Sequence, residues 1–87
     1  MNDLKIRMYS SRYCPFCIQA KSILEQKGLG FDEIIVDQRP ELREKMIEES
    51  GARTVPQIWI GERHIGGCQE LMAIERSGGL DELIKTA

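Results

Sequence analysis

Two cysteines and a proline near the N-terminus are the residues of this chain best suited to chemistry. Cys14 and Cys17 stand two residues apart, and Pro15 directly follows the first of them. A C-x-x-C pair can form a structural disulfide, supply half of a zinc site, or exchange a disulfide with another molecule. The rest of the sequence has to decide among these three kinds of chemistry.

Reacting thiols are better supported than zinc or a permanent disulfide. A zinc site needs a second ligand pair, and the remaining candidates, Cys68 and His64, have no standard ligand spacing. We therefore expect no metal site. A disulfide that closes so short a loop removes little chain entropy, so it would stabilise the fold only weakly. The pattern favours dithiol redox chemistry.

The composition indicates a small globular domain without a strongly charged partner. The chain has 87 residues, 41% of them hydrophobic, and a formal net charge of -2. This balance gives no long-range field toward nucleic acid or an anionic membrane, so we expect neither as a partner. No signal-peptide h-region or membrane-length apolar run is present, and three cysteines fit a secreted disulfide framework badly. We expect a cytoplasmic monomer with a single domain over residues 1–87.

Hydrophobic periodicity predicts the first half of an α/β fold. Residues 5–10 alternate as a half-buried strand does, and residues 31–36 are rich in β-branched types, as in a strand inside a sheet. Between them, apolar residues return at helical spacing until Gly28. Pro40 and Gly51 mark the start and end of a second helix.

The second half of the chain adds a hairpin and two helical segments. Residues 55–67 predict two short strands around Gly61 and Glu62, and a third helix begins near Cys68. A further helical piece ends the chain. The predicted order is β-α-β-α-β-β-α plus this piece. It implies a four-stranded mixed sheet with helices on both faces.

The proline makes the two thiols unequal. Pro15 disfavours helical geometry in Cys14, which places that sulfur at the N-cap of the helix. We expect the N–H groups of Phe16 and Cys17 to point at the sulfur. Each such bond stabilises a thiolate by about 1.5 to 3 kcal/mol, whereas the helix dipole stabilises it by about 0.3 to 1 kcal/mol. We expect the positive charges of Arg12 and Lys21 to stabilise the Cys14 thiolate further, by an amount that solvent screening reduces.

The enclosed sulfur one turn into the helix has the complementary role. Cys17 lies on the same side as Cys14 and should keep its proton longer. The pattern therefore predicts that Cys14 attacks a disulfide sulfur and that Cys17 then attacks Cys14 to release the reduced partner.

Three motifs in a fixed order carry a family resemblance. "YCPFC" after the first strand, then "TVPQIWI", then "GGCQE" make the chain resemble the dithiol glutaredoxins of the thioredoxin fold, especially short bacterial ones. The resemblance spans nearly the whole chain. It implies an enzyme that reduces protein disulfides and protein–glutathione mixed disulfides. Glutathione would be its reducing co-substrate, with no tightly bound cofactor, and its protein partners would be disulfide-containing or glutathionylated proteins.

The resemblance also assigns site residues. It implies that Cys14 is the nucleophile, that Cys17 resolves, and that the Val55–Pro56 bond is cis. Gly66 and Gly67 would allow a tight turn, and the helix start after them would offer N–H groups to a glutathione carboxylate. The implied glutathione-binding residues are Arg12, Tyr13, Phe16, Thr54, Val55, Pro56, Gly67, Cys68, Gln69 and Glu70.

Two positions depart from the family pattern. Ser11 stands where many relatives carry a lysine for the glycyl carboxylate, which leaves Arg12, Arg39 or Arg43 as candidate substitutes. Glu70 stands where an aspartate usually meets the ligand ammonium, and it is one methylene longer.

Several alternatives stay open at this level. The chain could instead be an electron donor recharged by thioredoxin reductase, or a carrier that holds a [2Fe–2S] cluster between two subunits through Cys14 and external glutathione. Cys68 fits a small buried hydrophobe better than a second glutathionylated or regulatory thiol. We expect His64 and Trp59 to have structural roles, and Tyr13 to line the groove or shield the sulfur.

Overall fold

Four strands and four helices make up the part of the chain that the structure describes. The computed structural model describes residues 5–86, with side chains as far as residue 83. The predicted order of elements is confirmed. The elements are β1 (Ile6–Ser10), α1 (Pro15–Gln26), β2 (Asp32–Ile35), α2 (Pro40–Ser50), β3 (Gln57–Ile60), β4 (Arg63–Gly66), α3 (Cys68–Arg76) and α4 (Gly79–Thr86).

The strands form one mixed sheet in the order β2-β1-β3-β4. β1 runs parallel to β2 and antiparallel to β3, and β3 pairs with β4 as an antiparallel hairpin. The expectation that β2 lies inside the sheet is wrong, because β2 is an edge strand. Its apolar end is covered on one face by α2 rather than flanked by strands on both sides. Ile34, for example, packs against the cluster beneath α2.

Side chains of β1 divide the core between the two faces of the sheet. Ile6 and Met8 pack with residues of α1, α3 and α4, whereas Tyr9 packs with Trp59 and with Met46 of α2. A fully buried side chain of this size contributes about 1.5 to 3 kcal/mol by the hydrophobic effect. The two layers hold β1 from both sides, which fixes the loop that follows it and leads into the cysteines.

The predicted turns are confirmed. Gly28 and Gly51 follow α1 and α2 in left-handed conformations, with φ of +69° and +73°. Gly61, with φ of +62°, and Glu62 join the two strands of the hairpin. Among residues 5–86, no helix has the length and apolar character needed to cross a membrane.

Candidate active site

Cys14 occupies the N-cap of α1, as predicted. Its backbone is extended, with φ of -99° and ψ of +114°, and Pro15 is the first helical residue. The Cys14 carbonyl accepts the first helical hydrogen bonds, from the N–H groups of Cys17 and Ile18, both at 3.1 Å. The side chain is half-buried. The chain therefore presents one sulfur at the mouth of the helix.

The hydrogen bonds around the two sulfurs differ from the prediction. No side-chain capping bond reaches the Cys14 sulfur, so the expected N–H donors from Phe16 and Cys17 are wrong. The N–H of Cys17 is engaged by the Cys14 carbonyl, and the Cys14 thiol lies 3.7 Å from the carbonyl oxygen of Val55. A backbone donor instead reaches the sulfur of Cys17: the N–H of Ser11 donates to Cys17 Sγ, with the nitrogen 3.4 Å from the sulfur.

The two cations expected to act on Cys14 have other partners or face solvent. Lys21 Nζ pairs with Glu33 at 3.0 Å. The Arg12 side chain is exposed, while its backbone N–H donates to Asp37. Among the described residues, no hydrogen bond joins either side chain to the Cys14 sulfur.

Cys17 is the protected thiol. Its relative exposure is 0%, and it packs one turn into α1. Burial raises its pKa to about 12, the N–H of Ser11 acts in the opposite direction, and the nearby Cys14 and Glu33 raise it further. The raised pKa of Cys17 agrees in direction with the prediction that this thiol keeps its proton.

The segment before β3 faces Cys14. The Val55–Pro56 peptide bond is cis, as the resemblance implied, and Pro56 is buried. The buried Gln57 side chain donates to the carbonyl of Thr54 at 3.0 Å, which fixes this turn from behind. The Val55 carbonyl is thereby held against the thiol of Cys14.

A groove of about 320 Å³ runs along this segment to the start of α3. It has an aromatic wall from the first turn of α1 and a floor of backbone and small residues. All eight of its lining residues are among the ten predicted to bind glutathione: Phe16, Thr54, Val55, Pro56, Gly67, Cys68, Gln69 and Glu70.

The double glycine brings the backbone close to the first turn of α3. Gly66 has φ of +118°, and a Cβ there would lie 2.9 Å from Glu70 Cγ. The carboxylate of Glu70 folds back, and its Oε1 accepts the N–H of Gly67 at 2.6 Å. One donor that the sequence offers to a ligand carboxylate is therefore taken by the chain itself, while the N–H groups of Cys68 and Gln69 have no backbone partner within residues 5–86.

Two of the ten predicted residues lie outside this groove. Arg12 and Tyr13 line a separate surface pocket with Asp37, Gln38 and Arg39, and Tyr13 is 88% exposed. Asp37 accepts the N–H of Arg12 at 2.9 Å and the hydroxyl of Ser11 at 2.7 Å, and these bonds lower the pKa of its carboxyl. The Ser11 hydroxyl is thus bound to Asp37. Arg43 donates to the carbonyl of Arg53 at 3.3 Å.

The comparisons with known proteins bear on this geometry directly. The family model described as Glutaredoxin matches residues 6–65, which include both cysteines and the cis proline. The chain belongs to the glutaredoxin family. Family membership supports thiol–disulfide oxidoreductase activity.

Relatives from bacteria cover nearly the whole chain. Glutaredoxin of Pseudomonas aeruginosa is 52% identical over 77 residues, which are 88% of this chain and 92% of that protein. Glutaredoxin 3 of Escherichia coli K12 is 46% identical over 80 residues, 92% and 96% of the two chains. The predicted likeness to short bacterial glutaredoxins is confirmed.

Solved glutaredoxin structures share the fold. The buckwheat glutaredoxin–glutathione complex has a TM-score of 0.87 at 31% identity, over 98% of this chain and 80% of that one. The solution structure of glutaredoxin from Brucella melitensis has a TM-score of 0.84 at 47% identity, over 95% and 90%. The thioredoxin fold is therefore confirmed.

Cys68, Trp59 and His64, for which the sequence predicted structural roles, pack against neighbouring residues of this glutaredoxin fold. Cys68 is buried at the first position of α3, and burial is the main cause that raises its pKa. Trp59 packs edge-on to Tyr9 in the core beneath α2. The His64 ring lies against Trp59, with its Nε2 2.7 Å from Gln57 Oε1. The structural interpretations of Trp59 and Cys68 agree with this packing.

Sequence reasoning missed a polar group beneath Cys17. Ser10 is fully buried and donates its hydroxyl to Glu33, which also pairs with Lys21. A signal was present, because Lys21 follows Cys17 by four residues and so shares its face of α1. The acidic Glu33 in a strand that otherwise ends in apolar residues was the second indication.

Proposed function

We propose that this chain is a glutathione-dependent oxidoreductase that reduces protein disulfides and protein–glutathione mixed disulfides. Cys14 is the nucleophile, Cys17 is the resolving thiol, and glutathione is the reducing co-substrate. One observation carries the proposal. A groove whose walls are all predicted glutathione-binding residues includes Val55, whose carbonyl oxygen lies 3.7 Å from the half-buried thiol of Cys14. We also propose that the chain acts as a monomeric single domain in a reducing cytoplasm, where thiols persist.

The groove offers groups that suit parts of the tripeptide. The backbone of Val55 offers peptide hydrogen bonds to an extended ligand, in the manner of an added strand. Phe16 and Pro56 supply apolar contact, and the N–H groups of Cys68 and Gln69 at the start of α3 suit the carboxylate at the γ-glutamyl end. Glu70 supplies the negative charge for the neighbouring ammonium.

The first chemical step is the same for both kinds of substrate. The thiolate of Cys14 attacks one sulfur of the disulfide, a new bond forms between Cys14 Sγ and that sulfur, and the other sulfur leaves as a thiolate. When the attacked sulfur belongs to glutathione, a second glutathione attacks it and frees Cys14 with release of glutathione disulfide. When it belongs to a protein, Cys17 attacks Cys14 instead, and glutathione reduces the resulting bridge.

Cysteine variants test this division of labour. We expect Cys17→Ser to retain deglutathionylation of a glutathionylated protein and to lose reduction of a protein disulfide. Cys14→Ser should lose both activities, and Cys68→Ser should retain both. Turnover is measured with glutathione, glutathione reductase and NADPH.

Two results would contradict the proposal. Either activity surviving in Cys14→Ser would remove it as the nucleophile. Turnover with thioredoxin reductase but not with glutathione would favour the electron donor that the sequence left open as an alternative.

A further inference from the structure

A charged group lies beneath Cys17 that the proposed steps do not use. Glu33 of β2 receives a hydrogen bond from the Ser10 hydroxyl and an ion pair from Lys21, both on the same oxygen, Oε2. The side chains of Lys21 and Glu33 are 30% and 26% exposed, so solvent screens this pair less than it would a surface pair.

Three elements bring the group to the sulfur. Glu33 pairs in register with Met8, whose side chain packs in the core beneath α1, so Glu33 faces α1. Lys21 follows Cys17 by one helical turn on the same face of α1. Ser10 directly precedes Ser11, whose N–H lies 3.4 Å from Cys17 Sγ. The Glu33 carboxylate thus links two residues that flank Cys17. One is Ser10, which precedes the N–H donor of the sulfur, and the other is Lys21, one helical turn beyond Cys17.

The charges of Glu33 and Lys21 have opposite effects on a thiolate near them. A negative charge disfavours a nearby thiolate and a positive charge favours it. Burial is the main cause that raises the pKa of Cys17, and the charge of Glu33 adds to it. The same carboxyl has a lowered pKa, because the bonds from Ser10 and Lys21 outweigh the effect of its own partial burial. Glu33 therefore stays ionised at neutral pH.

We propose that Glu33 and Lys21 are positioning residues that set the rate at which Cys17 attacks the Cys14 mixed disulfide, Glu33 slowing the step and Lys21 speeding it. The inference rests on the proposed dithiol route. It adds to that route a control over how long the mixed disulfide persists. A slower attack by Cys17 leaves more time for free glutathione to resolve Cys14, so the pair also sets the division between the two routes.

The step itself balances without an added reactant. Cys17 loses its thiol proton and its sulfur bonds to Cys14 Sγ, while the bond between Cys14 Sγ and the client sulfur breaks. The client sulfur leaves with the electron pair of that bond and takes up a proton. The bridge between Cys14 and Cys17 is the oxidised product, and the client thiol is the reduced one.

The other titratable groups near Cys17 are accounted for. Cys14 is the partner in the reaction, and Asp37, which follows β2, is held by Ser11 and Arg12. Cys68 of α3 stays protonated because burial raises its pKa. From β3, the core residue on this face is the uncharged Ile58. Glu33 and Lys21 are left as the pair whose charges can tune the sulfur.

Two substitutions that break the same ion pair separate this proposal from a structural role. Reduced protein in a Cys68→Ser background is mixed with an aromatic disulfide that releases a coloured thiolate. The first release reports attack by Cys14 and depends on reagent concentration. The second, concentration-independent release reports attack by Cys17, and Cys17→Ser serves as its blank.

We expect Glu33→Gln to accelerate the second release and Lys21→Met to slow it, each by about threefold at neutral pH. A tenfold change in thiolate fraction gives about that change in rate, because a less basic thiolate is a weaker nucleophile. The pH profile of the second release should move to lower pH in Glu33→Gln and to higher pH in Lys21→Met. The double variant should return close to the starting rate, and the first release should change little in all three.

A structural role predicts a different pattern. Both single variants lose the same contact, so a structural role moves both rates in one direction. That result, or unchanged rates in either variant, would overturn the proposal. The assay contains no glutathione, so a failure of the glutathione-dependent function would appear in the turnover assay and leave this measurement intact.

Discussion

The helices α1 and α3 both begin at the candidate site, and each places a cysteine there. At the start of α1, Cys14 is the N-cap, is half-buried, and has no side-chain capping bond. At the start of α3, Cys68 is the first helical residue and is 4% exposed. There Glu70 folds back onto the N–H of Gly67. One helix start is left open around its sulfur, whereas the other is closed by the chain's own carboxylate.

The difference teaches that a helix N-terminus alone does not make a thiol reactive. The helix dipole stabilises a thiolate at this end by about 0.3 to 1 kcal/mol, whereas full burial can destabilise the thiolate by several kcal/mol. At α3 burial is the first cause that raises the pKa of Cys68, and the charges of Cys14 and Glu70 add to it. The carboxylate that completes this helix also opposes ionisation of its cysteine.

The largest expected contrast is in the rates of alkylation. With iodoacetamide at pH 7, Cys14 should react at least about a hundredfold faster than Cys68 or Cys17, because burial protects the latter two and raises the pKa of each. Peptide mass spectrometry over time measures the three rates in one sample. Comparable rates for Cys14 and Cys68 would show that the two helix starts are chemically alike and would break the comparison.

A glycine substitution tests how tightly the start of α3 is closed. A Cβ at Gly66 would lie 2.9 Å from both Cγ and Oε1 of Glu70, in a backbone with φ of +118°. We expect Gly66→Ala to lower the free energy of unfolding by about 3 kcal/mol, through backbone strain and displacement of the Glu70 carboxylate. Urea denaturation followed by circular dichroism measures this loss.

Gly78 at the other end of α3 provides the matched control. It has φ of +79°, and an added Cβ would meet nothing within 4 Å. Gly78→Ala therefore measures the cost of the left-handed backbone conformation alone. We expect it to lower the free energy of unfolding by about 1 kcal/mol. Equal losses in the two variants would mean that Glu70 has no part in closing the helix start.

Much of the fold was predictable because its signals are local. The apolar alternation of β1, the proline at the start of α1 and the glycine after α2 each depend on a few neighbouring residues. The edge position of β2 was not predictable, since the apolar residues of Ile34 to Val36 are equally suited to a strand covered by helices on its two faces.

The site divides in the same way. The groove residues follow from motifs, and eight of them do line one groove. The hydrogen bonds of the sulfurs depend on where β1 ends relative to α1, and this placed the N–H of Ser11 on Cys17 rather than a donor on Cys14. The network of Ser10, Glu33 and Lys21 joins residues up to 23 apart in sequence, so the local signals at Lys21 and Glu33 do not show that these side chains meet.

The smallest expected effect concerns the missing cap itself. Ser is among the best N-cap residues, and Cys14 makes no capping bond, so Cys14→Ser should raise the free energy of unfolding by about 0.5 to 1 kcal/mol. Cys14→Ala offers no cap and should stay close to wild type. Glu70→Ala, which removes the existing bond to Gly67, should lower the same quantity by about 1 kcal/mol. Urea denaturation under reducing conditions compares the three variants.

A loss of stability in Cys14→Ser would mean that the Cys14 sulfur already contributes to the helix start as much as an oxygen can. A gain would show that the cysteine at this position costs stability, since the more stable variant lacks the thiol that we propose as the nucleophile.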